Sequence, residues 1–493
     1  MAVITYKTIQ VDGIPFTKIQ KLTIDHGLNQ HATATIIGEV DYDAGKDCLS
    51  RMDETTGIMI STTSEGQPAK LFCGVVSTAR LEHETAYATM YVELLSASAL
   101  LDIQKKKKSF QNTGKTYEQI INDALEGSGT INFAVSDKPI GNLIMQYGET
   151  NWEFILRMAN VFNAPVVPSI HVKKPYVTIG MPSANRTVKM EGTKKSIGVG
   201  CVSLARKKQN GLPTAGSQSN AASGAFSYEY GYIGDNLAMD DMTLRISGVH
   251  AVLEDGILKM QYECNLKSGG SASGGVSSAV AGASQAAAGG ASGGSTSSGG
   301  ASQATGNKNS SGKMFTGKVM AVNADKVQVH LLDIDPSYDG GGSHWFPYST
   351  LYSSQDESGF YCMPEVGDTV RVFFPSNNEG EAFAASSVNV SPLDNVKHKK
   401  WRTPGGKEIL MTEEGLYITC KENKIYINLE DANGISIYSE KDVNILSTAN
   451  ITINAKDKLT MHAENNMYLG TGETSIEMTK DKIALSGENV VVN

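Results

Sequence analysis

The chain has 493 residues, 40% of them hydrophobic and 19% charged, with 43 Lys and Arg against 52 Asp and Glu for a formal net charge of −9. That length calls for roughly three or more domains, and the apolar content excludes a chain disordered throughout. The acidic balance lacks the basic surplus that neutralises phosphates, so nucleic acid is not an expected partner.

The opening MAVITYKTIQ mixes charge and hydroxyls where a secretory leader needs an unbroken apolar stretch, and the longest charge-free run, 268–307, is mostly Gly, Ala and Ser. Neither suits a bilayer, so cytoplasmic synthesis is expected. Cys48, Cys73, Cys201, Cys264, Cys362 and Cys420 form no CxxC pair and are expected to be reduced thiols.

Residues 1–95 alternate apolar and polar, as in Leu22, Ile24 or Met90, Val92, Leu94, with turns at Asp12-Gly13 and Glu65-Gly66. They read as a β domain. In 96–180 the period changes: TYEQIINDAL (116–125) and NWEFILRMANVF (151–162) place apolar residues three and four apart, as amphipathic helices do. After a loop at 214–224, strand-like runs at 242–246 and 258–262 indicate a second β domain over 181–267. Residues 268–312 contain 36 Gly, Ala or Ser in 45 and read as a linker. Runs at 315–319, 326–332 and 368–374, the last behind the turn Pro364 to Asp368, suggest a small five-stranded barrel over 313–392.

Residues 393–493 hold a neck, WRTPGGKEI (401–409), and then an eight-residue repeat. Steps of eight from Ile427 give Ile427, Ile435, Val443, Ile451, Leu459, Met467, Ser475, Ile483 and Val491; two residues further on stand Leu429, Ile437, Ile445, Ile453, Met461, Leu469, Glu477 and Leu485. Polar quartets such as DANG (431–434) and STAN (447–450) separate the pairs, so each octad is a short strand and a turn. A lone chain of this kind exposes an apolar ribbon and two open edges. Three identical chains wound about one axis bury the pairs and close the edges, and the charged turns with Gly434, Gly470, Gly472 and Gly487 favour that column over a flat stack. Only Ser475 and Glu477 break the pattern: either a bulge shifts the strand, or three Glu477 carboxylates meet on the axis around a cation.

The ordered motifs FCGVV (72–76), QYGETNWEFILRM (146–158), PEVGD (364–368) with Val370, RTPGG (402–406) and the octads resemble the VgrG-like hub-and-spike proteins of type VI secretion and related contractile injection systems, including phage tails. The resemblance covers nearly the whole chain; the Gly/Ala/Ser insert departs from it. It implies a mainly β chain with a minor α/β part: two barrel-like hub domains that are pseudo-sixfold when tripled, an OB-type barrel, and a C-terminal trimeric intertwined β-helix. It implies a homotrimer whose partners are the inner tube protein, baseplate components and, on firing, the target cell envelope. It places the protein in the baseplate of a virion or phage-tail-like particle. The end VVVN lacks metal-binding His pairs, so a separate PAAR-like tip protein is expected on Val490, Val491, Val492 and Asn493.

No catalytic, cofactor or metal residues are expected. SFQNTGKT (109–116) lacks the first Gly of a P-loop, His83-Glu84 lacks the second His of a zinc helix, and 391–400 is too short to hold a lysozyme. The alternatives are a trimeric receptor-binding tail fibre or adhesin and, behind it, a cell-wall hydrolase.

Overall fold

The computed structural model describes residues 3–64, 67–83, 87–189, 220–222, 227–239, 242–266, 306–341, 344–356, 358–389, 395–489 and 491. The Glu65-Gly66 turn, Glu84, Cys201, most of the 214–224 loop and nearly all of the 268–312 linker lie outside them. Two units are distinguished, Met1–Val390 and Ser391–Asn493.

In the first unit the alternating runs become strands of one eleven-stranded sheet. Leu22, Ile36 and Val92 lie opposite one another on Phe16–His26, Thr33–Val40 and Ala88–Ser96, and all three are fully buried. The outer edge of Phe16–His26 pairs with Met242–Glu254, Ala251 opposite Ile24. The β strands of 1–95 and 181–267 therefore share a sheet and one apolar core. A helix, Tyr42–Ser50, interrupts the N-terminal strands, its first turn capped by the Asp41 carboxylate accepting from Ala44 N. The sequence reading missed it, because YDAGKDCLS buries only Gly45 and Cys48 and offers no apolar period.

The two helices read from period are present. Tyr117–Leu125 and Asn151–Asn160 each begin in a complete capping box, Thr116 with Gln119 and Thr150 with Glu153, which satisfies otherwise orphaned amides. Their buried faces, including Ile120, Ile121, Phe154 and Met158, form a second core, with Phe110 stacked on Phe154 at 5.5 Å.

The third core fills a closed five-stranded barrel. Its strands, Lys313–Asn323, Lys326–Leu331, Trp345–Ser349, Thr369–Phe374 and Phe383–Ser387, are ordered first, second, third, fifth, fourth, with the third and fifth parallel. This is an OB-type barrel. Gly317 is required inside it, since a Cβ there would collide with Val329.

The QYGETNWEFILRM segment binds this barrel to the α/β part. Leu143 and Met145, at the start of the strand Ile144–Glu149, belong to the barrel core. Arg157 grips Glu149 through Nε to Oε1 at 2.8 Å and Nη2 to Oε2 at 2.8 Å, and reaches Glu379 Oε1 from Nη1 at 3.2 Å. Nη2 also donates to Met145 O at 2.7 Å. Asn307, fully buried, donates from Nδ2 to Met145 O at 3.0 Å and Glu149 Oε2 at 3.2 Å, and from its amide to Glu379 Oε1 at 3.2 Å. Burial pushes both glutamates above the usual carboxylate range, and the Arg157 charge opposes that rise. Residues 306–312, the described end of the Gly/Ala/Ser segment, are thus anchored rather than free.

Two predictions follow from these buried polar groups. Arg157→Met strands two buried carboxylates and is expected to cost about 3–5 kcal/mol in chemical denaturation of the full chain, with hydrogen exchange rising first at Met145 to Glu149. His26 Nε2 donates to Pro168 O at 2.8 Å while Nδ1 is buried without a partner, and burial lowers its pKa to about 4. The unfolded imidazole, near 6.5, binds a proton that the folded one refuses, so its stabilisation is complete above that value and is lost as pH falls towards 4. From pH 7 to 5 the loss is about 2 kcal/mol; His344, also lowered to about 4 by burial, acts in the same direction. Thermal melts of His26→Gln should show a visibly shallower acid slope than the parent protein.

Candidate assembly interface

In the second unit, five strands form an antiparallel meander: Lys399–Arg402, Glu408–Met411, Gly415–Lys421, Ile425–Glu430 and Gly434–Ser439. Its first hairpin is set by Pro404-Gly405-Gly406. Thr403 N bonds Lys407 O at 2.9 Å and Gly406 takes φ +80°, the left-handed residue that ends a three-residue loop. Opposite residues in antiparallel strands share a face. The register therefore lines up Trp401, Ile409, Ile418, Ile427 and Ile437 in one row, and Met411, Leu416, Leu429 and Ile435 in the next. The other face carries Glu408 with Lys400 at 3.0 Å and the stacked rings of Tyr426 and Tyr438 at 5.3 Å.

The apolar face is open. Ile435 is 72% exposed, Ile445 71% and Trp401 52%, and Ile427, Leu429, Ile437, Val443, Ile451, Ile453, Leu459 and Met461 are exposed as well. The rows begin earlier than the octads, however. Trp401, Ile409, Met411, Leu416 and Ile418 were missed because their hairpins differ in length and hide the period; cross-strand position alone reveals them.

Between 440 and 465 the described residues form no strand. The chain bends at 440–441, 448–449, 456–457 and 464–465, every eight residues, as the quartets indicated. Strands resume at Asn466–Thr471, Thr474–Thr479 and Ile483–Ser486. Here Met467, Met478 and Ile483 form one row and Leu469, Ile476 and Leu485 the other. The apparent break at Ser475 comes from hairpin length, with no bulge in the ladder. Between Leu469–Ile476 and the two-residue turn at 472–473 stand two cross-strand pairs, where Leu429–Ile435 has one pair and a three-residue turn, so the apolar residue returns after seven positions instead of six; the next hairpin returns from Met478 to Ile483 in five and restores the count. Glu477 lies opposite Tyr468 and Ala484, on the face away from these rows. Val491 is exposed, while Val490, Val492 and Asn493 lie outside the described residues.

Groups that resemble catalytic sites have other occupations. SFQNTGKT is divided between the strand Lys106–Phe110 and the cap of Tyr117–Leu125; Ser109 donates to both oxygens of Asp335, and Lys115 pairs with Asp123 at 3.0 Å and Asp339 at 3.5 Å. His83 is an exposed strand residue stacked on Tyr42 at 4.1 Å. Ser98, His31 and Asp102 form a hydroxyl–imidazole–carboxylate chain of 2.9 and 3.4 Å, but Ser98 is 1% exposed and shares its oxygen with Ser96, so no acyl substrate reaches it. Among the described residues no three His, Cys, Asp or Glu gather to hold a metal ion, and no helix is long and apolar enough to cross a membrane.

Comparison with known proteins gives one family match: residues 43–160 fit the model of the phage tail baseplate hub (GPD). No curated protein matches. Similar solved structures include an E. coli protein described as a component of the type VI secretion system, at 13% identity and TM-score 0.49, covering 77% of this chain and 99% of that one. A Francisella PdpA–VgrG complex aligns at 9% identity and TM-score 0.49 over 87% of both chains. A prophage tail protein of Shewanella oneidensis aligns at 12% identity and TM-score 0.38, over 53% of this chain and 98% of that one. The family match spans the helix after Asp41, both capping boxes and the Glu149–Arg157 pair. Through residues 43–160 the chain is thus similar to the phage tail baseplate hub family, which supports the VgrG-like hub-and-spike resemblance of its motifs.

Proposed function

We propose that this chain is the homotrimeric central hub and spike of a contractile injection machine, with residues 1–267 adapting a threefold spike to a sixfold tube and the octads forming a needle that punctures the target envelope. The observation that carries the proposal is the exposed double row of Ile, Leu, Val and Met, combined with main chain that bends every eight residues and forms no strand of its own over 440–465. Such a segment gains hydrogen-bond partners and a covered face only from other chains. Three copies place Ile427/Leu429, Ile435/Ile437, Val443/Ile445, Ile451/Ile453, Leu459/Met461, Met467/Leu469 and Ile483/Leu485 on the axis. Every edge is then paired, so axial force is shared among three hydrogen-bonded chains.

The inner tube protein and baseplate components are the partners of the hub. A PAAR-like tip protein seats on Val490 to Asn493. The work is mechanical, and no residue is assigned to catalysis.

Light scattering should give a trimer for the full chain and a monomer for a chain ending near Val396; a monodisperse full-length monomer would overturn the spike. Ile451→Asp sets three charges at one buried level and is expected to abolish the trimer, through a loss of several kcal/mol. A soluble Ile451→Asp trimer as stable as the parent would remove these residues from the axis.

A further inference from the structure

Resting on the trimer reading, a more specific event can be located. We infer that the chains first meet on the Trp401 face of the sheet over 399–439, and that the central stretch 440–465 folds only afterwards, on neighbours already brought together by that face.

The five strands are hydrogen-bonded to one another through four consecutive hairpins, so the rows are preformed before any encounter. Docking there orders little new backbone. The stretch 440–465 is different: it must be fixed in an extended path before a neighbour's strand repays that ordering, which makes it a poor place to begin. The distal sheet over 466–486 is also preformed, but its rows hold three residues each where the Trp401 row holds five. It also lacks an indole, the side chain most often found anchoring an association.

The occupant of this face is a second copy of the same chain. The Trp401 row runs without interruption into Ile427 and Ile437, and from there the apolar pairs continue past bends spaced by eight. Only a partner with the same eight-residue spacing keeps strand beside strand and bend beside bend along 440–465. The RTPGG turn thereby gains a role: through Pro404, Gly405 and Gly406 it fixes the register that sets Trp401 opposite Ile409.

The test is the assembly kinetics of the full chain, refolded at several concentrations and followed by light scattering and pulsed hydrogen exchange. Ile418→Ala is expected to slow association about tenfold and leave dissociation within about twofold; Ile453→Ala should do the reverse. Amide protection over 440–465 should trail the appearance of trimer mass. Should Ile418→Ala not fold, Ile418→Val gives the same pattern at smaller amplitude. The inference is overturned if Ile453→Ala slows association as much as the Ile418 variants, or if the centre is protected before 399–439 associates. Those outcomes leave the trimer standing, whereas a parent chain that stays monomeric at every concentration removes the trimer reading itself.

Discussion

A β-strand has two demands: its main-chain donors and acceptors need a neighbour, and at least one face needs a cover. Most described strands of 3–266 find both within the chain. The edge of Phe16–His26 is taken by Met242–Glu254, and that sheet packs over one core while the helices of 117–160 pack over a second. The barrel meets the first demand by closing on itself. In the second unit the hairpins supply hydrogen bonds at either end of the repeat, but the apolar rows stay open and the middle has neither neighbour nor cover. Everything proposed for this chain comes from that asymmetry.

The joint between barrel and α/β part depends on a different force. One guanidinium holds two buried carboxylates, and Asn307 completes their hydrogen bonds. Ionic clusters of this kind are costly to bury and costlier to break, so they favour one geometry over nearby alternatives. Leu143 and Met145 add shape by entering the barrel core from outside its own strands.

Local signals were legible in the sequence, and distant pairings were not. Thr116 with Gln119 and Thr150 with Glu153 announce helix starts through spacing alone, and the octads announce bends that appear every eight residues. Tyr42–Ser50 escaped because its buried face is a glycine and a cysteine. The sharing of one sheet by Phe16–His26 and Met242–Glu254 has no local mark at all, since either strand alternates equally well beside many partners. Trp401 was visible as a motif but not as part of the apolar face, because membership of a row depends on hairpin lengths that the octad count does not include.

In the proposed trimer a strict repeat would have a weakness that the hairpin around 472–473 addresses. In a bundle of identical octads, sliding one chain by eight residues replaces each apolar pair with an equivalent one, so many misaligned assemblies compete closely with the correct one. The spacing from Met467 to Ile476 is nine residues and from Ile476 to Ile483 seven. In the proposed trimer that paired irregularity would match only when all chains are level, and a slip would set Ile476 and Met478 one residue out of step with the apolar pairs of the neighbouring chains. The departure from periodicity would thus work, in the proposed trimer, as an alignment notch, giving a translationally degenerate column one correct phase.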